Sequence, residues 1–385
     1  MVAQTQRAFL RANLGAGFGV AGTTALAGCT VTSAPGVDPS SGWPQYRFDA
    51  ARTGYSPDAV EPSDEVAERW TASTEDRAVS APAVRDGRVY VNSDSIAALD
   101  AADGADRWAN AVYHRSGSTP AIADGVVVAA SKFALFALDA AEGTERWAAT
   151  FGGRRLDAPA VVDDTIYVVS TDRHVPFEAS LHALGLDDGR ERWRASIGEL
   201  TMPPFVPAVA DGTVYVGKER LFALDAAAGR VRWTADPGGT FGPPAVADGT
   251  VFVGSRQQGN AGAVFAYDAA DGRERWRVET GKSGKSLAVA DDTVYVASDA
   301  VYALDAADGR ERWRFDSNRY VLAAPAIAGD RLYLAGLLGT VRALDRDDGT
   351  EAWLVETAGV VFSSPAVVDG TVYVGGSDRT VYAFG

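Results

Sequence analysis

The chain has 385 residues and carries 51 acidic against 36 basic side chains, a net charge of −15. That surplus argues against charge-driven binding to DNA or to an anionic membrane surface. A single cysteine, Cys29, excludes an intrachain disulfide and any cysteine-based metal cluster.

Residues 1–28 read as an export signal and are kept apart from the fold. TQRAFLR at residues 5–11 precedes a weakly apolar Gly/Ala stretch and then Leu26, Ala27, Gly28 and Cys29. The arrangement resembles a twin-arginine export signal ending in a lipobox, with Gln6 where the first paired arginine would stand. That resemblance implies lipidation at Cys29 and an exported protein held at the cell surface by its lipid. Between residues 14 and 26 the apolar run is too short for an ordinary spanning helix, which needs about 20 residues. Residues 29–42, rich in Ser, Pro, Thr and Gly, read as a flexible tether. Residues 43–69 form a lead-in, expected to pack outside the domain that follows or across one of its openings.

From residue 70 onward one unit returns at a period of about forty residues, the mark of a propeller or array. Its core is ALDAADGRERW at residues 303–313, with complete copies ending at Trp108, Trp147, Trp193, Trp233, Trp276, Trp313 and Trp353. Around each copy lie four short apolar runs. In residues 205–233 they are 207–209, 214–216, 221–224 and the run bearing Trp233, separated by an Asp211-Gly212 turn, a polar loop and a turn ending at Gly229. Such short runs joined by tight turns pair antiparallel, and a four-stranded meander must stack on its neighbours to bury both faces. Trp70 adds an eighth tryptophan without its three preceding runs, while residues 363–384 supply three runs without a tryptophan. The expected fold is therefore all-β: an eight-bladed propeller of four-stranded antiparallel blades at residues 70–385, closed by the strand of Trp70 pairing with residues 381–384.

Ala303, Asp305, Gly309 and Trp313 stand at positions one, three, seven and eleven of the unit. The pattern resembles the quinoprotein-type (PQQ-like) propeller repeat. That resemblance implies that each tryptophan locks one blade to the next, with glycine leaving bare backbone under the ring. It also raises pyrroloquinoline quinone as a cofactor. Dehydrogenases of that type use a vicinal cysteine pair, a calcium ion and a catalytic aspartate, and here one cysteine stands alone, no calcium cluster stands out and no CxxCH occurs. No cofactor and no metal are expected. Residues 281–286, GKSGKS, lack the phosphate-loop glycine spacing, and residues 343–349, ALDRDDG, lack the register and closing glutamate of a calcium loop.

In a meander the first and third hairpins share one face of the disc, and the second hairpin and the inter-blade link share the other. Asp86-Gly87, Asp124-Gly125, Asp211-Gly212, Asp248-Gly249 and Asp369-Gly370 place the first face as acidic and uniform. The second face collects His114, Arg115, Arg154, Arg155, Arg173, His174, Lys218, Arg220, Arg256, Lys282, Lys285, Arg319 and Arg379. Its longest connections are residues 170–180 and 255–263, and insertions on one face of a repeat array mark a binding surface. Phe133, Phe151, Phe241 and Phe362 are expected to be exposed there, with Tyr113, Met202, Phe205 and Tyr320. His182 falls in a third strand and reads as packing.

Only Lys132, Lys218, Lys282 and Lys285 are lysines, and this acidic, lysine-poor balance resembles proteins of extreme halophiles. Taken together, the expected function is noncatalytic: an exported, membrane-anchored scaffold that receives a protein partner on the irregular face and touches the membrane only through its lipid. It is similar in repeat, blade number and lipobox to the propeller lipoproteins of outer-membrane barrel assembly. The alternatives are a quinone-dependent dehydrogenase and a propeller that binds a small ligand in its central channel.

Overall fold

The computed structural model describes residues 42–385 except 64, 75–79, 94, 112–117, 173, 175–176, 201–205, 218, 258, 260, 283–285, 317–322 and 337, and the side chains of Glu199 and Leu200. The apolar runs become strands and the Asp/Gly pairs become hairpins, giving eight sheets. The fourth blade shows the unit: Ala208–Ala210, Thr213–Gly217, Leu221–Asp225 and Val231–Ala235, each antiparallel to the next. Asp211 and Gly212 both take positive φ, 47° and 66°, which is the twist a two-residue hairpin requires. Valines 214 and 216 and the alanine and leucines of the third strand are buried, so both faces of the middle strands pack against neighbouring blades.

The first strand of each blade lines the centre. These are Ala83–Arg85, Ala121–Ala123, Ala160–Val162, Ala208–Ala210, Ala245–Ala247, Ser286–Ala290, Ala326–Ala328 and Ala366–Val368, and each touches the next. The last also touches the first, so the ring shuts. Closure is shared by the two chain ends as expected. Glu68–Ser73 is the outer strand of the eighth blade and pairs antiparallel with Thr380–Phe384, with Trp70 opposite Ala383.

One regular feature escaped the sequence reading. In every blade the third and fourth strands slip register just beyond the motif alanine, leaving one residue bulged: Arg107, Arg146, Arg192, Arg232, Arg275, Arg312, Ala352 and, in the eighth blade, Arg69. The bulge aims that arginine back across the turn. Arg146, Arg232, Arg275 and Arg312 reach the motif aspartates Asp139, Asp225, Asp268 and Asp305 at 2.7–2.8 Å. In the third blade Gly185 replaces the aspartate, and Arg192 turns to Asp164 at 2.6 Å instead.

Candidate functional site

Tryptophans bridge neighbouring blades through their indole nitrogens. Seven indole N–H groups donate to a carbonyl in the following blade at 2.8–3.0 Å: Trp70 to Ala101, Trp108 to Ala140, Trp147 to Leu186, Trp193 to Ala226, Trp233 to Ala269, Trp276 to Ala306 and Trp313 to Arg346. The motif glycine lies beneath the ring; a Cβ on Gly229 would stand 2.5 Å from Trp193. In five blades a second-strand tyrosine adds its hydroxyl to the same carbonyl: Tyr90, Tyr167, Tyr215, Tyr295 and Tyr373. The exception explains itself. Trp353 faces the eighth blade, which lacks the motif turn, and there the hydroxyl of Tyr333 is buried without a partner.

The centre of the ring is not an open channel. The lead-in expected outside the ring or across its mouth instead inserts into it and runs around the inner strands. Gly42–Trp43 pairs antiparallel with Arg85 and Val84. The carbonyls of Pro44, Ala50, Ala51, Thr53 and Gly54 then accept from the inner-strand amides of Ile122, Val209, Val246, Val289 and Ile327 at 2.7–2.9 Å. Gln45 serves the remaining intermediate blade with its side chain, accepting from the Val161 amide and donating to the Val161 carbonyl. Tyr55–Ser56 leaves as a strand parallel to Ile327–Ala328. The physical reason is that inner strands present an unpaired edge, and an extended segment with a free carbonyl at each blade satisfies it.

Two arginines complete this plug. Arg52, wholly buried, donates to the carbonyls of Pro159 and Pro207 at 3.0 and 2.9 Å and to Tyr46 at 2.6 Å. Arg47 donates to the carbonyls of Pro243, at 3.1 Å, and Leu287. Burial pulls the two guanidinium groups down to about 9 and about 10, with the neighbouring Asp49 opposing the fall. Burial pushes Asp49 up, while hydrogen bonds from the Thr53 amide and hydroxyl hold it back. Trp43 and Phe48 meet edge to face at 5.2 Å and fill the remaining apolar space.

Of the residues expected to matter outside the core, Cys29, His114, Arg115, Arg173, Lys218, Lys285 and Arg319 lie outside the described residues. Arg155, His174, Arg256 and Lys282 are exposed on the second face. Arg154 is half-buried and committed to its own blade, which removes it from a freely presented set. The two long connections are mostly strand. Thr165–Thr171, Phe177–Gly185 and Glu191–Leu200 extend the third blade, and Thr250–Arg256, Ala261–Asp268 and Glu274–Lys282 extend the fifth. Each gains a two-residue strand from the preceding link, Arg155–Leu156 and Thr240–Phe241. Two projections therefore flank the shorter fourth blade. That pairing buries Phe241 completely, against expectation, whereas Phe362 is 55% exposed and Leu338, on the same side, 61%. Tyr113, Met202, Phe205 and Tyr320 lie outside the described residues.

His182 packs, as expected, but within a polar chain. Its Nε2 is 2.8 Å from the Ser170 hydroxyl and its Nδ1 2.7 Å from the Glu191 carboxylate. The order is that of a nucleophile relay, yet Ser170 is wholly buried and already accepts from Arg154 Nε at 3.1 Å. Serine recurs at the matching position as Ser93, Ser131, Ser255 and Ser298, and glutamate at the other as Glu145, Glu274, Glu311 and Glu351. Only the histidine is peculiar to this blade. Among the described residues no cluster of three or more His, Cys, Asp or Glu side chains is placed to hold a metal ion.

Solved structures share this architecture. The chain is similar to BamB from Moraxella catarrhalis, with a TM-score of 0.68 and 20% identity over 83% of this chain and 99% of that one. It is also similar to a europium-containing methanol dehydrogenase, TM-score 0.71, 15% identity, 90% and 89% covered. A quinohemoprotein alcohol dehydrogenase from Comamonas testosteroni gives 0.70 and 16%, with 89% and 80% covered. At such identities these likenesses carry the fold alone. No curated protein matches by sequence. Residues 60–109, 92–177, 178–282 and 260–385 match the family described as outer membrane protein assembly factor BamB, and the chain belongs to that family.

Proposed function

We propose that this protein is a noncatalytic scaffold, exported and lipid-anchored through Cys29, that receives a protein partner on the second face between the projections of the third and fifth blades. The observation that carries the reading is the plug. Residues 42–56 use the inner-edge amides and put Trp43, Arg47, Phe48 and Arg52 where a channel ligand would sit. Those residues do not fit a planar quinone, and binding chemistry is thereby left to the faces. Membership of the BamB family and the exposed Arg155, Arg256 and Lys282 support a docking role there.

Three experiments test this. Pyrroloquinoline quinone with Ca²⁺ or a lanthanide ion should leave the melting temperature unchanged, because a ligand at 100 times its Kd would stabilise by about 2.7 kcal/mol. A large upward shift would instead favour the dehydrogenase reading. Reversing charge together at Arg155, Arg256 and Lys282 should abolish capture of a cognate partner, and unchanged capture would place the docking surface elsewhere. Cys29→Ser should release the protein from membranes into the medium.

A further inference from the structure

The polar chain around His182 joins three elements at the base of the larger projection. Arg154 Nε donates to Ser170 Oγ at 3.1 Å, and its terminal nitrogen donates to the Glu178 carbonyl. Because the Glu191 carboxylate at Nδ1 can only accept, the neutral His182 ring keeps its hydrogen there, and the Ser170 hydroxyl donates to the unprotonated Nε2. Phe151 closes the ring off edge to face at 4.9 Å, and Ser170 and His182 are 0% and 3% exposed.

We propose that this corner of the third blade is a pH-operated latch: protonating His182 breaks its bridge to Ser170, and Arg154 then comes away from the second face together with the short strand Arg155–Leu156. A proton on Nε2 reverses the hydrogen bond. Ser170 Oγ would then accept twice, and its own hydrogen would be left without an acceptor in a site closed to water. Charge adds to the cost. The groups facing the ring are Glu191 and Arg194 from the fourth strand and Arg154 from the link, while Glu178 on its own strand pairs with Arg154 at 3.9 Å. An imidazolium would be a third cation beside Arg154 and Arg194, with Glu191 and Glu178 the carboxylates named against them. Arg154 is the member free to leave, because it is half-exposed and follows Gly152 and Gly153, whose surroundings are open.

Burial holds His182 below its ordinary 6.5, outweighing the upward pull of Glu191. The fold thus favours the neutral ring: the latch has its full strength above about 6.5 and weakens progressively as pH falls below it toward the lower value of the closed state. No other blade carries this device, since the equivalent positions hold Phe136, Phe222 and Phe265 in three blades and Ala97, Tyr302, Arg342 and Tyr382 in the other four. The latch does not depend on what binds the face it borders.

Amide hydrogen exchange on the full chain at about pH 7.5 and about pH 5, corrected for intrinsic rates, tests it. Peptides covering residues 150–157 and 166–171 should open about tenfold faster per pH unit below the transition, while residues 293–305 of the sixth blade stay unchanged. His182→Phe, which installs the side chain other blades use, should give a flat profile; His182→Gln should do the same where the ring is not accommodated. Absence of acceleration, equal acceleration in the non-titrating variants, or equal acceleration in the sixth blade would each overturn the proposal.

Discussion

Replacing Tyr295 and Tyr333 by phenylalanine, one at a time, should move stability in opposite directions. Both rings are buried beside a blade-locking tryptophan, Tyr295 at 5.8 Å from Trp313 and Tyr333 at 5.9 Å from Trp353. Their hydroxyls differ. Tyr295 donates at 3.1 Å to the Arg346 carbonyl, which also accepts from Trp313 at 2.9 Å. Losing that bond leaves the carbonyl still satisfied and costs about 1 kcal/mol. The Tyr333 hydroxyl has no partner, so its removal relieves about 1–3 kcal/mol of unpaired burial. Phenylalanine fits the site, because Phe252 occupies the same position over Trp276 at 5.9 Å. The two variants should therefore differ by about 2–4 kcal/mol, read as urea midpoints at constant slope. Equal destabilisation of both would refute the idea that the eighth blade fails to supply the clamp's acceptor.

Trp233→Ala should cost about 3–5 kcal/mol in the same assay, since it empties an inter-blade wedge as well as a hydrogen bond. Arg52→Met should cost about 3–5 kcal/mol by orphaning the carbonyls of Pro159, Pro207 and Tyr46 in a site closed to water; a neutral result would mean the plug contributes nothing to the ring. Hydrogen bonds from Arg192 draw Asp164 down to about 2 from an ordinary 3.8, so what this pair contributes is complete above about 3.8 and is lost as pH falls toward 2. Asp164 is largely exposed, which keeps that contribution small, and Arg192→Gln should raise its titration, followed by NMR, toward 3.8, with the Thr165 hydroxyl still holding it below.

Blade number, hairpins and ring closure were legible because they follow from periods: alternation within strands, Asp/Gly at turns and one tryptophan per copy. The arginine bulge was printed in the sequence too, as the residue before every blade tryptophan except Trp353, but its partner is set by a register slip that alternation does not announce. The plug was hidden for a different reason. WPQYRFDAARTG has no strand period, and its structure is dictated by partners more than a hundred residues away, such as Val161 for Gln45 and Pro207 for Arg52. A signal was present: two arginines and a tryptophan in a short stretch that is neither helix nor strand need buried partners if they are ordered at all. Phe241 was misplaced because a two-residue strand in a link is too short to read. Arg154 looked like a surface cation until Ser170 and Glu178 were brought beneath it.

The direction of the plug ties fold to function. Gly42 stands opposite Arg85, next to the Asp86-Gly87 turn, so the segment enters the ring from the acidic first face. Tyr55–Ser56 runs parallel to Ile327–Ala328 toward the turn at Gly329, so it leaves by that same face. Val60 and Glu61 then meet Gly370 and Asp330 on that side before the chain forms the outer strand of the eighth blade. Both ends of the plug are thus on the side where the repeats are most alike, and the projections of the third and fifth blades rise on the other. A ring stabilised from one side in this way gives the second face freedom to vary its hairpins and links without loosening the centre, which is what a docking surface requires.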